Sequence, residues 1–372
     1  MKKALYVATV DIHIEKFHLP YLKLLHENGY EVHVATNGDE SFPYCDEKHK
    51  ICIERSPFKF NNLKAIKQLR TIVEKEKFDI IHCHTPMGAV VTRLAVRKSR
   101  KKYKTKIIYT AHGFHFYKGA PIVNWLLFYP VEKVLSRYTD TLITINKEDY
   151  DFALRKFKKY CKDIQYIPGV GIETKKFEIE NTSIDRNQLL KQIGLDKKDY
   201  ILTCVARLDK NKNQSFLIDV MEKLKNNFKN IKLLLVGPDE YDGFYQKLVT
   251  KKKLENVLFL GRRDDIPKIL SISNIVVSAS MREGLPVNVM ESFASGIPVV
   301  ALDCRGMKDL VENGKNGFVI DSDNVDDFAK SIIDIYNMDA KVINRIRTNN
   351  KEKAKKYDVE EIRKKLSNIY FK

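Results

Sequence analysis

One pattern repeats along this chain: a short, continuously apolar run, a stretch with helical spacing, then another apolar run. ALYVATV precedes FHLPYLKLLHENG, which stops on Gly29 and gives way to YEVHVAT. FDIIHCH, KIIYTAHG and DTLITIN extend the series. Ahead of FDIIHCH, the segment NNLKAIKQLRTIVEKEK sets Leu63, Ile66, Leu69 and Val73 on one helix face, with Asn61 or Asn62 as its cap. Runs that are apolar throughout, rather than at every second residue, belong to strands buried on both faces. The pattern therefore predicts parallel sheets covered by helices.

The series then restarts. IQYIPGVG closes the first in a Pro- and Gly-rich turn, residues 173–188 read as a polar linker, and YILTCVARL opens a second that KLLLVG, VLFLG, IVVSAS and PVVALD continue. At 372 residues the chain exceeds the roughly 250 to 300 that one core organises. The expectation is an α/β protein of two Rossmann-like, doubly wound domains over residues 1–170 and 171–355, with a last helix over 356–372. In such sheets ligands bind beyond the carboxyl ends of the strands, so two sheets facing each other would bring their functional loops to a central cleft.

Composition narrows the class. With 44% hydrophobic and 31% charged residues, the chain is unlike disordered, collagenous or repeat-array sequences. Its 66 Lys and Arg against 48 Asp and Glu leave a net charge of +18, which calls for an anionic partner: nucleic acid, a phospholipid surface or a phosphorylated substrate. Six cysteines without a C-x-x-C pair read as reduced thiols of a cytoplasmic protein. MKKALYVATV reads as a buried first strand, because Asp11 and His13 interrupt it at once. No run reaches the roughly 18 to 20 apolar residues of a bilayer span, so any membrane contact is expected to be peripheral.

The most specific segment is IVVSASMREGLPVNVMESFASGIPVVALD. A buried strand leads to a loop with Glu283, Gly284 and Pro286, then to an apolar helix carrying Glu291, and GIPVV feeds the next strand. The start of that helix offers backbone N–H groups and a positive dipole end, which suit a phosphate or diphosphate without a metal. Gly284 allows close backbone approach to a ligand. In VARLDKNKN, Arg207 ends a buried strand and Lys212 follows five positions on, placed to neutralise a departing diphosphate. His82 and His84 alternate at a strand end as zinc ligands can, but no further ligands at diagnostic spacing accompany them, so no metal site is expected. Asp321 and Asp323 read as a cap before the helix NVDDFAKSIIDIY, and Asp264 and Asp265 as the cap of IPKILSIS.

EGLPVNVMES, VARL with Lys212, TAHG and the two-series layout together resemble a family 4 glycosyltransferase of GT-B architecture, similar to enzymes of bacterial capsule and exopolysaccharide assembly. The resemblance implies retaining, metal-independent transfer of a hexose or N-acetylhexosamine from a UDP-sugar, with no cofactor. The acceptor it implies is a polyisoprenyl-diphosphate-linked glycan. It assigns Glu283 to the donor sugar, Glu291 to the ribose, and Arg207 and Lys212 to the diphosphate. Gly284, Leu285 and Pro286 complete the donor pocket, and Gly261, Arg262 and Arg263 lie beside the base. His112 of TAHG positions the sugar. His13 and His18 are expected on the acceptor side, because Val10, Asp11, Ile12 and His13 stand where many members have a Gly-Gly turn, and His84 is expected to line the acceptor cleft from its strand end. The final helix crosses back to the first domain, and the enzyme works peripherally on the inner face of the bacterial membrane, against anionic lipid, through residues 97–106 and the segment around Trp125. Within the same fold, a soluble acceptor or UDP-sugar 2-epimerisation are alternatives. A basic nucleic-acid-binding protein would explain the charge but not the glutamates, and no nucleic-acid partner is expected.

Overall fold

The computed structural model describes residues 1–178, 186–321 and 323–372. Two compact units divide the chain: Met1–Gly171 with Val359–Lys372, and Ile172–Asp358. Part of the expected linker, residues 179–185, lies outside the described residues, as does Ser322 between Asp321 and Asp323.

The first unit is built on strands β1 (Lys2–Val7), β2 (Tyr30–Thr36), β3 (Glu47–Lys50), β4 (Ile80–His84), β5 (Lys106–Ala111), β6 (Thr141–Thr144) and β7 (Asp163–Tyr166). They form one sheet in the order β3-β2-β1-β4-β5-β6-β7, and every pairing is parallel. Alternate side chains of β1 enter different cores: Leu5 and Val7 pack with Ile81, Cys83 and Ile107, whereas Ala4 and Tyr6 pack with Val32, Ile80 and Ile108. Both faces are therefore buried, as the unbroken apolar runs require.

The terminal helix Val359–Phe371 belongs to this unit and buries Ile362, Leu366 and Tyr370 in the Tyr6 core. The Tyr370 hydroxyl meets both the Tyr6 hydroxyl and His82 Nδ1, the latter at 2.7 Å.

The second unit repeats the plan with β8 (Tyr200–Val205), β9 (Ile231–Val236), β10 (Val257–Gly261), β11 (Ile275–Ser278), β12 (Val299–Leu302) and β13 (Gly317–Ile320). Their order is β10-β9-β8-β11-β12-β13, again all parallel. Leu202 and Cys204 face one core, and Ile201 faces the other with Leu234 and Val236. In each sheet the winding direction reverses once, between β1 and β4 and between β8 and β11. Those two points are where open parallel sheets leave a crevice beyond their strand ends.

Several local expectations fail for identifiable reasons. Strand β3 has the sequence EKHK and no apolar run, because an edge strand covered on one side needs none. Leu63 is 61% exposed, and the buried face of its helix uses Asn62, Ala65, Leu69 and Val73 instead. Neither Asn61 nor Asn62 caps that helix; Asn62 bonds the Glu54 amide and the Ser56 carbonyl, closing the preceding loop. The helix Val325–Tyr336 is capped by Asn324, whose side chain accepts from the Asp326 amide, while Asp321 pairs with Lys308. Asp265 stands at the cap position of Ile266–Ile272 but spends its carboxylate on Arg263.

Candidate active site

In the second unit, the chain leaving β8 and the chain leaving β11 meet at the switch point. Lys212 Nζ lies 2.5 Å from Glu283 Oε1, with both side chains largely buried. Asn288 Nδ2 donates to the Val205 carbonyl at 3.0 Å, fastening the helix Val287–Ala294 to the end of β8. No side chain caps that helix: Pro286 holds the cap position and Glu283 bonds elsewhere. Within the first turn the Val289 amide donates to Asn288 Oδ1 at 3.0 Å, and no carboxylate offsets the positive end of the helix dipole.

Two glycines permit the close approach. A side chain at Gly306, at φ +80, would put Cβ 2.1 Å from the Gly284 carbonyl oxygen; one at Gly237 would sit 2.0 Å from that of Ala206. Only glycine lets these loops stack against the Arg207 and Gly284 segments. Neither position stands out in the sequence, since nothing in the spacing marks a long-range backbone contact. Arg305, whose Nε donates to the Glu283 carbonyl at 3.4 Å, is a further member that the sequence reading missed.

Arg207 is half exposed and salt-bridged to Glu240 at 2.7 Å and to Asp209 at 3.3 Å. The carboxylates hold the guanidinium in place before any ligand arrives. Glu291 is half-buried on the helix Val287–Ala294, and loss of hydration pushes its carboxyl up to about 7. A carboxyl in that condition gains most from a ligand that supplies hydroxyl donors. Leu285 and Pro286 are buried in the turn. Gly261, at φ +61, ends β10, and beyond it Arg263 forms a two-pronged pair with Asp265 while Arg262 stays exposed near Asp264. The structure therefore brings Lys212, Glu283 and Gly284 together with Arg305, and leaves Arg262 and Arg263 in a local charge cluster.

The first unit collects histidines at its own switch point. His13 lies on the helix Asp11–Phe17, His18 joins that helix to Leu19–Glu27, His84 ends β4, and His112 follows β5. His112 Nε2 lies 3.3 Å from His13 Nε2 and 3.2 Å from His84 Nδ1, and the His18 and His84 rings lie tilted to each other with centroids 3.9 Å apart. Burial drives every one of these imidazoles toward its neutral form, His13 to about 4 and His18, His84 and His112 well below the ordinary value. His82 shares their face but is occupied structurally, bonding Tyr370 and the Thr110 hydroxyl. A small cavity there is lined by His18, Tyr21, His84, His112 and Gly169.

Asp11, which opens the helix after β1, is occupied within its own unit. Burial raises its carboxyl, but bonds from Thr36, the Glu40 amide and Lys48 outweigh that and hold it low. Thr85, just after His84, sits at φ 61, a conformation costly for a non-glycine residue by about 1–3 kcal/mol. Hydrogen bonds from the Thr9 amide at 3.1 Å and with the Thr9 hydroxyl at 2.7 Å hold it there.

The comparisons agree with this two-unit construction. Residues 3–146 match the family described as glycosyl transferase 4-like, and residues 185–356 match glycosyl transferases group 1. EpsD of Bacillus subtilis (strain 168), a protein provisionally named a glycosyltransferase, is 43% identical over 336 residues, 90% of this chain and 87% of its own. The UDP-Gal:alpha-D-GlcNAc-diphosphoundecaprenol alpha-1,3-galactosyltransferase of Escherichia coli is 27% identical over 78% of this chain and 74% of its own. Among solved structures, Anabaena HepE in complex with UDP and glucose superposes with a TM-score of 0.77 at 20% identity, covering 99% of both chains, which shows the fold. The chain is thus a glycosyltransferase of GT-B fold, a member of the family 4 type.

Proposed function

We propose that this enzyme transfers a hexose or N-acetylhexosamine from a UDP-sugar to a polyisoprenyl-diphosphate-linked oligosaccharide during bacterial surface polysaccharide assembly, with retention at the anomeric carbon. The observation that carries the proposal is the Lys212–Glu283 pair beside an uncapped helix start at the β8–β11 switch point. The named activity of the Escherichia coli relative supports the substrate classes.

In this reading, Lys212, Arg207 and the amides near Gly284, Leu285 and Pro286 bind the diphosphate, and Gly261, Arg262 and Arg263 flank the base. Glu291 accepts from the ribose hydroxyls and Glu283 from the donor sugar. As the bond from the sugar's C1 to the diphosphate breaks, the acceptor oxygen bonds C1 and its proton passes to the departing diphosphate. The cations stabilise charge that grows on the leaving group, so the chemistry needs no divalent ion. His112 positions the sugar, and His13, His18 and His84 face the acceptor as neutral groups suited to hydroxyls.

The acceptor's lipid places the enzyme on the inner membrane face. Among the described residues no helix is long and apolar enough to cross a bilayer. The helix Ile122–Leu135 nonetheless presents Ile122 at 74%, Leu126 at 70%, Val123, Leu127, Val131 and Val134 to solvent. Trp125 and Phe128 turn inward instead, and a two-pronged Arg93–Glu132 pair at 2.8 and 3.1 Å anchors the helix from below. Exposed Arg97, Lys98, Lys101, Lys102 and Lys104 belong to the same unit, and apolar and basic surface of this kind suits anionic lipid. A panel of UDP-, GDP- and ADP-sugars tested by thermal shift and by transfer to a synthetic polyisoprenyl-diphosphate sugar checks the proposal. Stabilisation by UDP-sugars and product formation are expected; selective stabilisation by GDP- or ADP-sugars contradicts it.

A further inference from the structure

We propose that His13, His18, His84 and His112 bind one divalent transition-metal ion, Zn2+ being the best fit, and that its occupancy withdraws His112 from the sugar. One nitrogen from each of the four rings lies within 4.8 Å of all the others. The two contacts to His112 Nε2, 3.3 and 3.2 Å, match the ligand-to-ligand edge of a tetrahedral site, since Zn–N bonds of about 2.0–2.1 Å separate their nitrogens by about 3.3–3.4 Å.

Hydrogen bonding alone does not account for the cluster. His112 Nε2 carries either one proton or one lone pair, yet faces two imidazole nitrogens. His18 is only 2% exposed and has no partner for either nitrogen; His84 Nε2 is also buried without one. Such groups each cost about 1–3 kcal/mol when left unmet, and a shared ion would satisfy at least one on each ring. Four imidazoles without a carboxylate select zinc, copper, nickel or cobalt over magnesium or calcium. The other histidine cluster differs: His33 is already bonded to His49 at 2.9 Å and to Glu31 at 2.8 Å, so its groups satisfy one another.

The remaining nitrogens of His18 and His84 lack the carboxylate or carbonyl partners that stiffen tight zinc sites. The ion is accordingly exchangeable, and the site regulatory. That consequence rests on the positioning role proposed for His112, whereas the binding does not.

The test uses the whole chain, stripped with a chelator and titrated with Zn2+ by calorimetry and elemental analysis, and with Co2+ by visible absorption. One equivalent of Zn2+ and a tetrahedral Co2+ spectrum are expected. H13Q and H18A are expected to weaken uptake about tenfold or more each, with H26A unchanged, and circular dichroism verifies folding. H13Q, at a half-buried position, keeps the test usable where H18A fails to fold. Absence of stoichiometric uptake, or uptake unaffected by H13Q with H18A, overturns the site. In the transfer assay Zn2+ is expected to inhibit and a chelator to restore turnover; full turnover at one bound equivalent overturns the regulatory half and, with it, the role given to His112.

Discussion

The two units share a winding order and put their candidate residues at the same topological place, yet the chemistry there is opposite. At the β8–β11 switch stand ionised groups in pairs, Lys212 with Glu283 and Arg207 with Glu240, next to an uncapped helix start. At the β1–β4 switch stand imidazoles that burial keeps neutral. One fold thus carries a cluster of salt-bridged side chains in one copy and a cluster of neutral imidazoles in the other. The difference lies in the residues at and beyond the strand ends, where β4 closes on His84 and β8 runs on to Arg207 and Lys212.

The sharpest way to separate the units is to damage one. Glu132→Ala strands the buried Arg93 guanidinium and is expected to cost about 3–5 kcal/mol. Calorimetry should show a lowered transition for the first unit while UDP binding persists, and loss of UDP binding would break the proposed division. Lys212→Ala is the counterpart in the second unit: steady-state transfer should fall about 100- to 1,000-fold, and full activity would remove the electrostatic argument.

Glu291 gives a pH test. Its carboxyl is raised in the fold to about 7 from an ordinary 4.5, so ionisation is disfavoured in the native state. Its contribution to stability is complete below about 4.5 and is lost as pH rises through 7. Glu291→Gln should therefore recover about 1–2 kcal/mol at pH 8 and nothing at pH 4, by chemical denaturation. A ligand that donates hydroxyls to the carboxylate favours the ionised form, so UDP affinity should climb from pH 6 to 8 in the native chain and flatten in the variant.

The smallest effect belongs to the surface of the first unit. Leu126→Glu should reduce binding to anionic vesicles about tenfold, with transfer to a short-chain soluble acceptor unchanged. Equal binding by both proteins would assign that apolar face another role.

Much of this was legible because continuous apolar runs report burial on both faces, and because Glu283, Gly284, Pro286 and Glu291 sit close together in sequence. Strand β3 escaped because its edge position removes the hydrophobic signal, and Leu63 because helical periodicity alone does not fix the rotation of a helix to within one residue. The partners of the site escaped for a different reason. Glu240, Arg305, Gly237 and Gly306 reach Arg207, Glu283, Ala206 and Gly284 across long stretches of chain, and no local pattern encodes such meetings. The histidines repeat the lesson: in sequence only His82 and His84 stand together, and only folding brings His13, His18 and His112 to His84.

The central claim is that the second unit grips a diphosphate with its own cations and helix amides. Calorimetric titration of UDP into the chain, run once with a chelator and once with excess Mg2+, tests it most directly. Equal affinity in the two buffers is the predicted result. Binding that vanishes in chelator and returns with Mg2+ would contradict the account.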